Sequence, residues 1–296
     1  MEPDWNAVEW VVRVNGTVDA FLSWLTLDGW SLGHGNPAHE SLYVFPRDDG
    51  SKPTMADAQW IADVMAFDHD APIDAAPRGS GHFGNLPPSG TVTQPIVPAG
   101  PLSLEHSVRY WENLRIAHQA AADNRFDAPF TLRYEDGPDA PGTDFSQRFS
   151  NERTRNLVSL YAMASRQADV LSEYLCLYRI LEAVDGGNGK AAATHLLPDL
   201  TTYQFGHLSL VEVFVDPPAR VNAFDRYRAW AVDEIGELGL DDPDVDLAGY
   251  LYKIRNSLAH GKHEALTTGR GEEFMAAARA LPIVKLLARM AVEQTT

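Results

Sequence analysis

The chain has 296 residues, a formal net charge of −17 and a single cysteine, Cys176. The charge is uneven, because residues 1–144 carry 8 Lys and Arg against 21 Asp and Glu, whereas residues 145–296 carry 16 against 20. This balance argues against a protein that coats nucleic acid non-specifically but allows a small basic cleft in the second half, and one cysteine excludes an intrachain disulfide framework or a cysteine zinc site.

The N-terminal residues, from Met1 to Trp5, lack the basic region and apolar core of a signal peptide. No apolar run approaches the roughly 18 residues that a membrane span requires. We therefore expect a cytoplasmic protein.

The first part of the chain predicts a small α+β domain over residues 1–103. Segments rich in valine and aromatic residues predict strands over residues 7–14, 21–27 and 42–45. A helix is predicted from Met55 to Phe67, where it can lie on the small sheet. Residues 71–103 hold seven Pro and five Gly, which predicts a long irregular segment that links the domain to the rest or covers it.

The remainder, residues 104–296, predicts an all-α domain whose core occupies residues 145–296. Residues 149–184 contain no Pro or Gly, and their apolar residues recur at spacings of three and four, which predicts one long helix. The other predicted helices cover residues 104–122, a short stretch around His195, 221–238 and 272–292, the last broken or kinked by Pro282. Strands are predicted over 130–134 and 208–215. Neighbouring helices in such a bundle cover each other's apolar stripes.

The segment that organises this half is a helix ending near residue 260. Its apolar stripe consists of Leu247, Leu251, Ile254 and Leu258. Asp241, Asp242 and Pro243 predict its start, and Gly261 occupies the place of a C-cap glycine. Arg255, Asn256 and His260 lie off the stripe. In an unbroken helix Arg255 and His260 point about 140° apart, and His260 lies in the final turn, where the chain can unwind and bring the imidazole round.

An Arg-Asn-x-x-x-His helix that ends in Gly resembles the signature of the HEPN superfamily, and the form in this chain is most similar to the Apea-like branch. A second similarity lies upstream in the segment 177–184, Leu-Tyr-Arg-Ile-Leu-Glu-Ala-Val, which resembles the long first helix of that branch with its acidic residue. The resemblance covers roughly residues 145–296, about half of the chain.

The resemblance implies a metal-independent endoribonuclease, with no cofactor, that acts as a homodimer. Two Arg-x-x-x-x-His motifs would meet in one composite site, where the ribose 2′-hydroxyl attacks the adjacent phosphorus. The catalytic residues would be Arg255, Asn256 and His260. His moves protons near neutral pH, Arg stabilises developing negative charge, and Asn256 orients the imidazole or holds a phosphate oxygen.

Four residues would support this site: Glu182, Tyr178, Lys262 and His263. Glu182 continues the apolar stripe of its helix, and a carboxylate that faces a bundle needs a partner. Its natural partner is Arg255 or a backbone cap on the neighbouring helix, unless its position near the helix end lets it reach water. Lys262 and His263 would extend the positive potential. By the same resemblance, a toxin or antiviral effector is the expected biological setting, with the N-terminal domain sensing a ligand or protein.

Other interpretations stay open from the sequence. Some HEPN proteins are non-catalytic and bind nucleotides or serve as dimerisation scaffolds. Arg255 and His260 could also be ordinary surface cations near a helix end, where the helix dipole favours them. Asp68, His69 and Asp70, with His34 and His39 nearby, have the side chains of metal ligands but lie in predicted loops without fixed spacing.

Overall fold

The computed structural model describes residues 7–13, 17–18, 25–27, 29–33, 41–70, 73–78, 131–132, 149–167, 169–205, 210–213, 219–260 and 272–295. A small sheet with one helix comes first, and a helical region follows it. The predicted fold class, an α+β unit followed by a helical bundle, is therefore confirmed. Within the described ranges no helix is both long and apolar enough to cross a membrane.

The N-terminal sheet has five antiparallel strands in the order β3-β4-β5-β1-β6. Their bounds are β1 Trp10–Arg13, β3 Leu25–Leu27, β4 Trp30–Gly33, β5 Ser41–Phe45 and β6 Asp74–Pro77. Val12, Leu32, Leu42 and Val44 are fully buried on this sheet. The three predicted strands are present: β1 and β3 lie within the predicted ranges, and β5 begins one residue earlier than predicted, at Ser41.

Strand β6 corrects the prediction that residues 71–103 are irregular throughout. Its Ala75 and Ala76 pair with Val12 and Val11 of β1. Pro77 has no backbone N–H to donate. It is tolerated because β6 is an edge strand, which has a neighbouring strand on one side only. The high proline content of this segment therefore led to a loop prediction where a strand is present. Residues 79–103 lie outside the described residues.

Helix α1, Met55–His69, packs between the sheet and the helical region. Thr54 caps it, since its hydroxyl accepts from the Asp57 N–H while the Asp57 carboxylate accepts from the Thr54 N–H. Nearly every residue from Ala58 to Asp68 is buried, as expected of a helix covered on two sides. The predicted helix is confirmed, and it packs against the helical region as well as against the sheet.

Two short strand pairs lie outside the main sheet. Strands β2, Thr17–Val18, and β7, Thr131–Leu132, pair in parallel. Strands β8, Leu210–Val213, and β9, Ala219–Asn222, pair antiparallel. The predicted strands near 131 and 210 are thus present, but the helix predicted from residue 221 begins two residues later, after β9. The helix predicted over 104–122 lies outside the described residues.

The helical region contains six further described helices. They are α2 Glu152–Ser165, α3 Val170–Asp185, α4 Lys190–Leu196, α5 Ala223–Glu237, α6 Leu247–His260 and α7 Glu272–Glu293. A 3₁₀ turn, Leu197–Asp199, follows α4. Helix α7 continues through Pro282 without a break.

The single long helix predicted over 149–184 is wrong, because two helices, α2 and α3, occupy that stretch. Asp169 starts α3 by accepting the backbone N–H of Ser172 at 2.9 Å. Arg166, at the end of α2, turns toward the N-terminal unit, where it pairs with Asp63 and donates to the Ile73 carbonyl. Long-range contacts and a capping Asp end the helix without Pro or Gly.

A continuous hydrophobic core joins the sheet, α1 and the helices. Helices α3 and α7 contribute much of it, and Tyr161, Phe67 and Phe149 bridge α1 and α2 through edge-to-face ring contacts. The N-terminal unit is therefore packed directly on the helices. The predicted boundary at residue 103 lies outside the described residues.

Candidate functional site

Helix α6 carries the predicted catalytic residues, and its start corrects the prediction. It begins at Leu247, not at Pro243, because Asp246 is the residue that caps it by accepting the Gly249 N–H at 2.8 Å. The other Asp246 oxygen lies 2.5 Å from Lys190 Nζ of α4. These hydrogen bonds, that of Lys190 first, lower the pKa of the Asp246 carboxyl below its usual value.

The apolar stripe of α6 is confirmed. Leu251, Ile254 and Leu258 are buried, and Leu247 is partly buried against the same core. Burial of this stripe sets the rotation of the helix. Arg255 and Asn256 consequently lie at the edge of the buried face, where both are half-buried.

The central feature of the site is the ion pair between α3 and α6. Arg255 Nε lies 2.7 Å from Glu182 Oε1, and the side chains are 26% and 19% exposed. Arg255 Nη1 also donates to Asn256 Oδ1 at 3.1 Å. The expected partnership of Glu182 and Arg255 is therefore confirmed, and Glu182 keeps only partial access to water.

These contacts leave Arg255 with binding capacity. A guanidinium has five N–H donors. Counted over the described residues, Glu182 occupies one and Asn256 another. The Nη edge can still present a bidentate pair of donors to a phosphate or carboxylate. Asn256 contributes its carbonyl oxygen to this contact, which leaves its amide N–H groups outside the bond to Arg255.

Two stacked tyrosines support this pair from within α3. The rings of Tyr174 and Tyr178 lie 6.1 Å apart and nearly parallel, and both are fully buried. The Tyr174 hydroxyl donates to the Leu251 carbonyl at 2.8 Å. Among the described residues the Tyr178 hydroxyl has no hydrogen-bond partner. Burial and then the Glu182 charge raise the pKa of Tyr178 above its usual range, so the phenol stays protonated.

A close approach packs Tyr178 against the turn that follows α3. Gly189, with φ +77°, precedes α4, and a Cβ there would lie 2.7 Å from the Tyr178 ring. A larger residue would therefore displace the ring beside Glu182, in addition to the backbone strain that the left-handed φ imposes. Gly189 contributes to the site because it has no side chain that would displace the Tyr178 ring.

His260 is the last residue of α6. In a regular helix it lies one turn after Asn256 and about 40° round from it, so the positions of Asn256 and His260 share a face. Gly261, Lys262 and His263 lie outside the described residues, and the predicted C-cap and the two supporting residues stay predictions.

The other candidate cluster lies elsewhere than predicted. Asp68 and His69 occupy the last turn of α1 instead of a loop, and the Asp68 side chain is buried. Asp70 Oδ1 lies 3.0 Å from Lys285 Nζ, so this carboxylate forms an ion pair with a lysine. No group of three or more candidate metal ligands occurs among the described residues. His34 and His39 lie outside those residues.

Sequence reasoning missed two residues of the site. Lys190 fixes the start of α6 through Asp246, and Tyr174 holds the turn below Arg255. Tyr174 was detectable in principle, because it lies four residues before Tyr178 and eight before Glu182 on one helix face. Lys190 carried no signal in the sequence, since its partner lies 56 residues away.

The comparisons with known proteins address the helical region. The sequence profile of the family described as methylamine utilization protein MauJ matches residues 157–293, a little under half of the chain. The matched region includes Glu182, Arg255, Asn256 and His260 and excludes the N-terminal sheet. This region is thus similar to that family. Comparison with curated proteins gave no match, and comparison with solved structures gave none either.

Proposed function

We propose that this protein is a metal-independent endoribonuclease of the HEPN type, with Arg255, Asn256 and His260 as its catalytic residues. The observation that carries the proposal is the Glu182–Arg255 ion pair, which holds a guanidinium at the edge of the buried face, beside Asn256. The match to the MauJ family covers the same region, although its description names a process, methylamine utilization, and no reaction.

In the proposed reaction a base removes the proton of the ribose 2′-hydroxyl. The 2′-oxygen forms a bond to the adjacent phosphorus, and the bond from phosphorus to the 5′-oxygen breaks. The leaving oxygen takes a proton from an acid, so that the products are a 2′,3′-cyclic phosphate and a 5′-hydroxyl. His260 supplies proton transfer, which is typically worth about 10²–10⁴-fold in rate. Arg255 stabilises the charge on the phosphate oxygens.

The active form in this proposal is a homodimer, since one motif supplies one histidine and the reaction needs both an acid and a base. Two copies of α6 packed near α3 would place two Arg255–His260 sets on one RNA backbone. A toxin or antiviral effector is the biological setting that we propose for such an enzyme. The N-terminal unit would sense a ligand or protein partner.

One observation favours a second candidate, a non-catalytic HEPN scaffold. Arg255 is already engaged by Glu182 and Asn256, so part of its hydrogen-bonding capacity serves the fold. In a scaffold the contacts of Arg255 with Glu182 and Asn256 would serve only to stabilise the fold, and the motif would have no catalytic role. The enzyme and scaffold proposals make opposite predictions for RNA cleavage.

The test is incubation of purified protein with end-labelled RNA, with and without a chelator, followed by analysis of the product ends. We expect cleavage that survives chelation and leaves cyclic phosphate ends. His260→Ala and Arg255→Ala should each remove most of the activity. Lys253→Ala is the matched control, because it removes an exposed positive charge from the same helix.

Light scattering completes the test, with a dimer expected at micromolar concentration. The enzyme proposal fails if the wild type cuts no RNA, or if His260→Ala cuts as fast as the wild type. A stable dimer without cleavage supports the scaffold instead.

A further inference from the structure

Helix α1 of the N-terminal unit ends in a buried charge cluster that reaches helix α3. Lys285 Nζ of α7 lies 3.0 Å from Asp70 Oδ1 and 3.3 Å from Glu173 Oε1. The three side chains are only 2–8% exposed. Tyr161 donates to Asp70 at 2.9 Å. Because a buried charge that loses its partner is costly, these residues must move together.

The backbone at Asp70 is itself unusual. Asp70 is the C-cap of α1 with φ 49°, the only described residue other than Gly in the left-handed region. Asp is one of the few residues that tolerate this conformation, at a modest cost in energy. The same residue therefore ends α1 and anchors the ion pair with Lys285, so a shift of α1 displaces the buried cluster directly.

The next residue along α3 reaches the catalytic helix. Tyr174 follows Glu173, and its hydroxyl donates to the Leu251 carbonyl. In an α-helix the carbonyl of residue 251 also accepts the backbone N–H of residue 255. Tyr174 thus bonds the turn that carries Arg255, while Glu182, two turns further along α3, holds the guanidinium.

We propose that Glu173 and Tyr174 couple the N-terminal unit to Arg255. Tyr174 is a positioning residue for Arg255, and the Asp70–Lys285–Glu173 cluster fixes the position of Tyr174. A ligand or partner that shifts α1 would then change the placement of Arg255. This inference deepens the proposed function by naming the route of its regulation, and it rests on that function only for the effect on catalysis.

The experiment observes Arg255 without RNA. In protein labelled at arginine Nε, the Arg255 Nε–H signal is identified by its loss in Arg255→Lys, and its chemical shift reports the bond to Glu182. Tyr174→Phe removes one hydroxyl and keeps the stacked ring. Asp70→Asn removes the charge and keeps a residue that tolerates the left-handed backbone. Asp48→Asn, an exposed acid in the turn after β5, is the matched control.

We expect Tyr174→Phe and Asp70→Asn each to shift the Arg255 signal by more than the control does. The shift of the double variant should differ from the sum of the single shifts, since coupled residues are not additive. Where Asp70→Asn does not fold, Tyr161→Phe replaces it, because it removes only the hydrogen bond to Asp70. The proposed coupling is wrong if the chemical shift of the Arg255 Nε–H does not change in the folded variants. It is also wrong if the shift in the double variant equals the sum of the shifts in the single variants.

Cleavage assays then separate this inference from the proposed function. If the protein is a ribonuclease, Tyr174→Phe should lower kcat more than it changes KM, and the activity should not recover with higher RNA concentration. If the wild type cuts no RNA, the ribonuclease proposal fails, and the Arg255 signal still decides whether the N-terminal unit is coupled to α6.

Discussion

Replacing Glu182 by Ala tests the ion pair on which the candidate site depends. Removing one partner of a fully buried pair costs about 3–5 kcal/mol, whereas an exposed pair contributes only about 0.2–1 kcal/mol. Glu182 and Arg255 are 19% and 26% exposed, which places the pair between these limits. Arg255 keeps its bond to Asn256 and some access to water, so we expect a loss of about 2 kcal/mol in the free energy of unfolding.

Chemical denaturation of Glu182→Ala, Arg255→Ala and the double variant measures this loss. The double-mutant cycle isolates the interaction between the two side chains, which we expect to be about 1–2 kcal/mol. Lys253→Ala serves as the control, since substitutions at exposed positions usually change stability by less than about 0.5 kcal/mol. A Glu182→Ala change within that range, or a coupling energy near zero, would show that the pair does not hold the site.

Two further predictions concern the start of α6. Because the pKa of Asp246 is lowered in the folded protein, its charge stabilises the fold above the usual pKa of 3.8 and loses this effect as the pH falls below that value. The difference in unfolding free energy between the wild type and Asp246→Asn should thus be constant from about pH 5 to 7 and shrink below pH 4, and an unchanged difference in acid would contradict it. Gly249→Ala should bring no stabilisation, because a Cβ there would lie 2.4 Å from the Asp246 oxygen that pairs with Lys190. Gly236→Ala in α5, where the Cβ meets nothing within 4 Å, should gain roughly 0.5 kcal/mol, and equal gains at the two positions in thermal unfolding would refute the reasoning.

The sequence predicted the parts of the site that depend on periodicity. The stripe of Leu251, Ile254 and Leu258 fixed the rotation of α6, and the position of Glu182 on the stripe of its own helix required a partner. Both inferences use only the helical repeat and the cost of burying a charge. They were therefore accessible without any knowledge of which helices are neighbours in space.

Long-range contacts account for the errors. The break between α2 and α3 follows from Arg166 reaching Asp63 and Ile73, more than 90 residues earlier in the chain. Strand β6 exists because β1 offers it a free edge, although Pro77 and the surrounding prolines favour a loop. Helix α6 starts at Leu247 and not at Pro243, because Asp246, which also pairs with Lys190, caps it. In each case a tertiary contact outweighed a local preference.

The charge balance of the Glu182–Arg255 pair bears on how the proposed site would bind RNA. A phosphate about 4 Å from Arg255 gains roughly 4 kcal/mol at an effective dielectric constant of about 20, whereas repulsion from the Glu182 carboxylate at about 6 Å costs nearly 3 kcal/mol. The attraction by Arg255 and the repulsion by Glu182 largely cancel, so the pair alone would orient a phosphate but attract it only weakly. In the proposed enzyme, productive RNA binding would need further positive charge near Arg255, and candidates for it are Lys262, His263 and the same motif of a second copy. A homodimer, as proposed above, would bring such charge to Arg255 from the second copy.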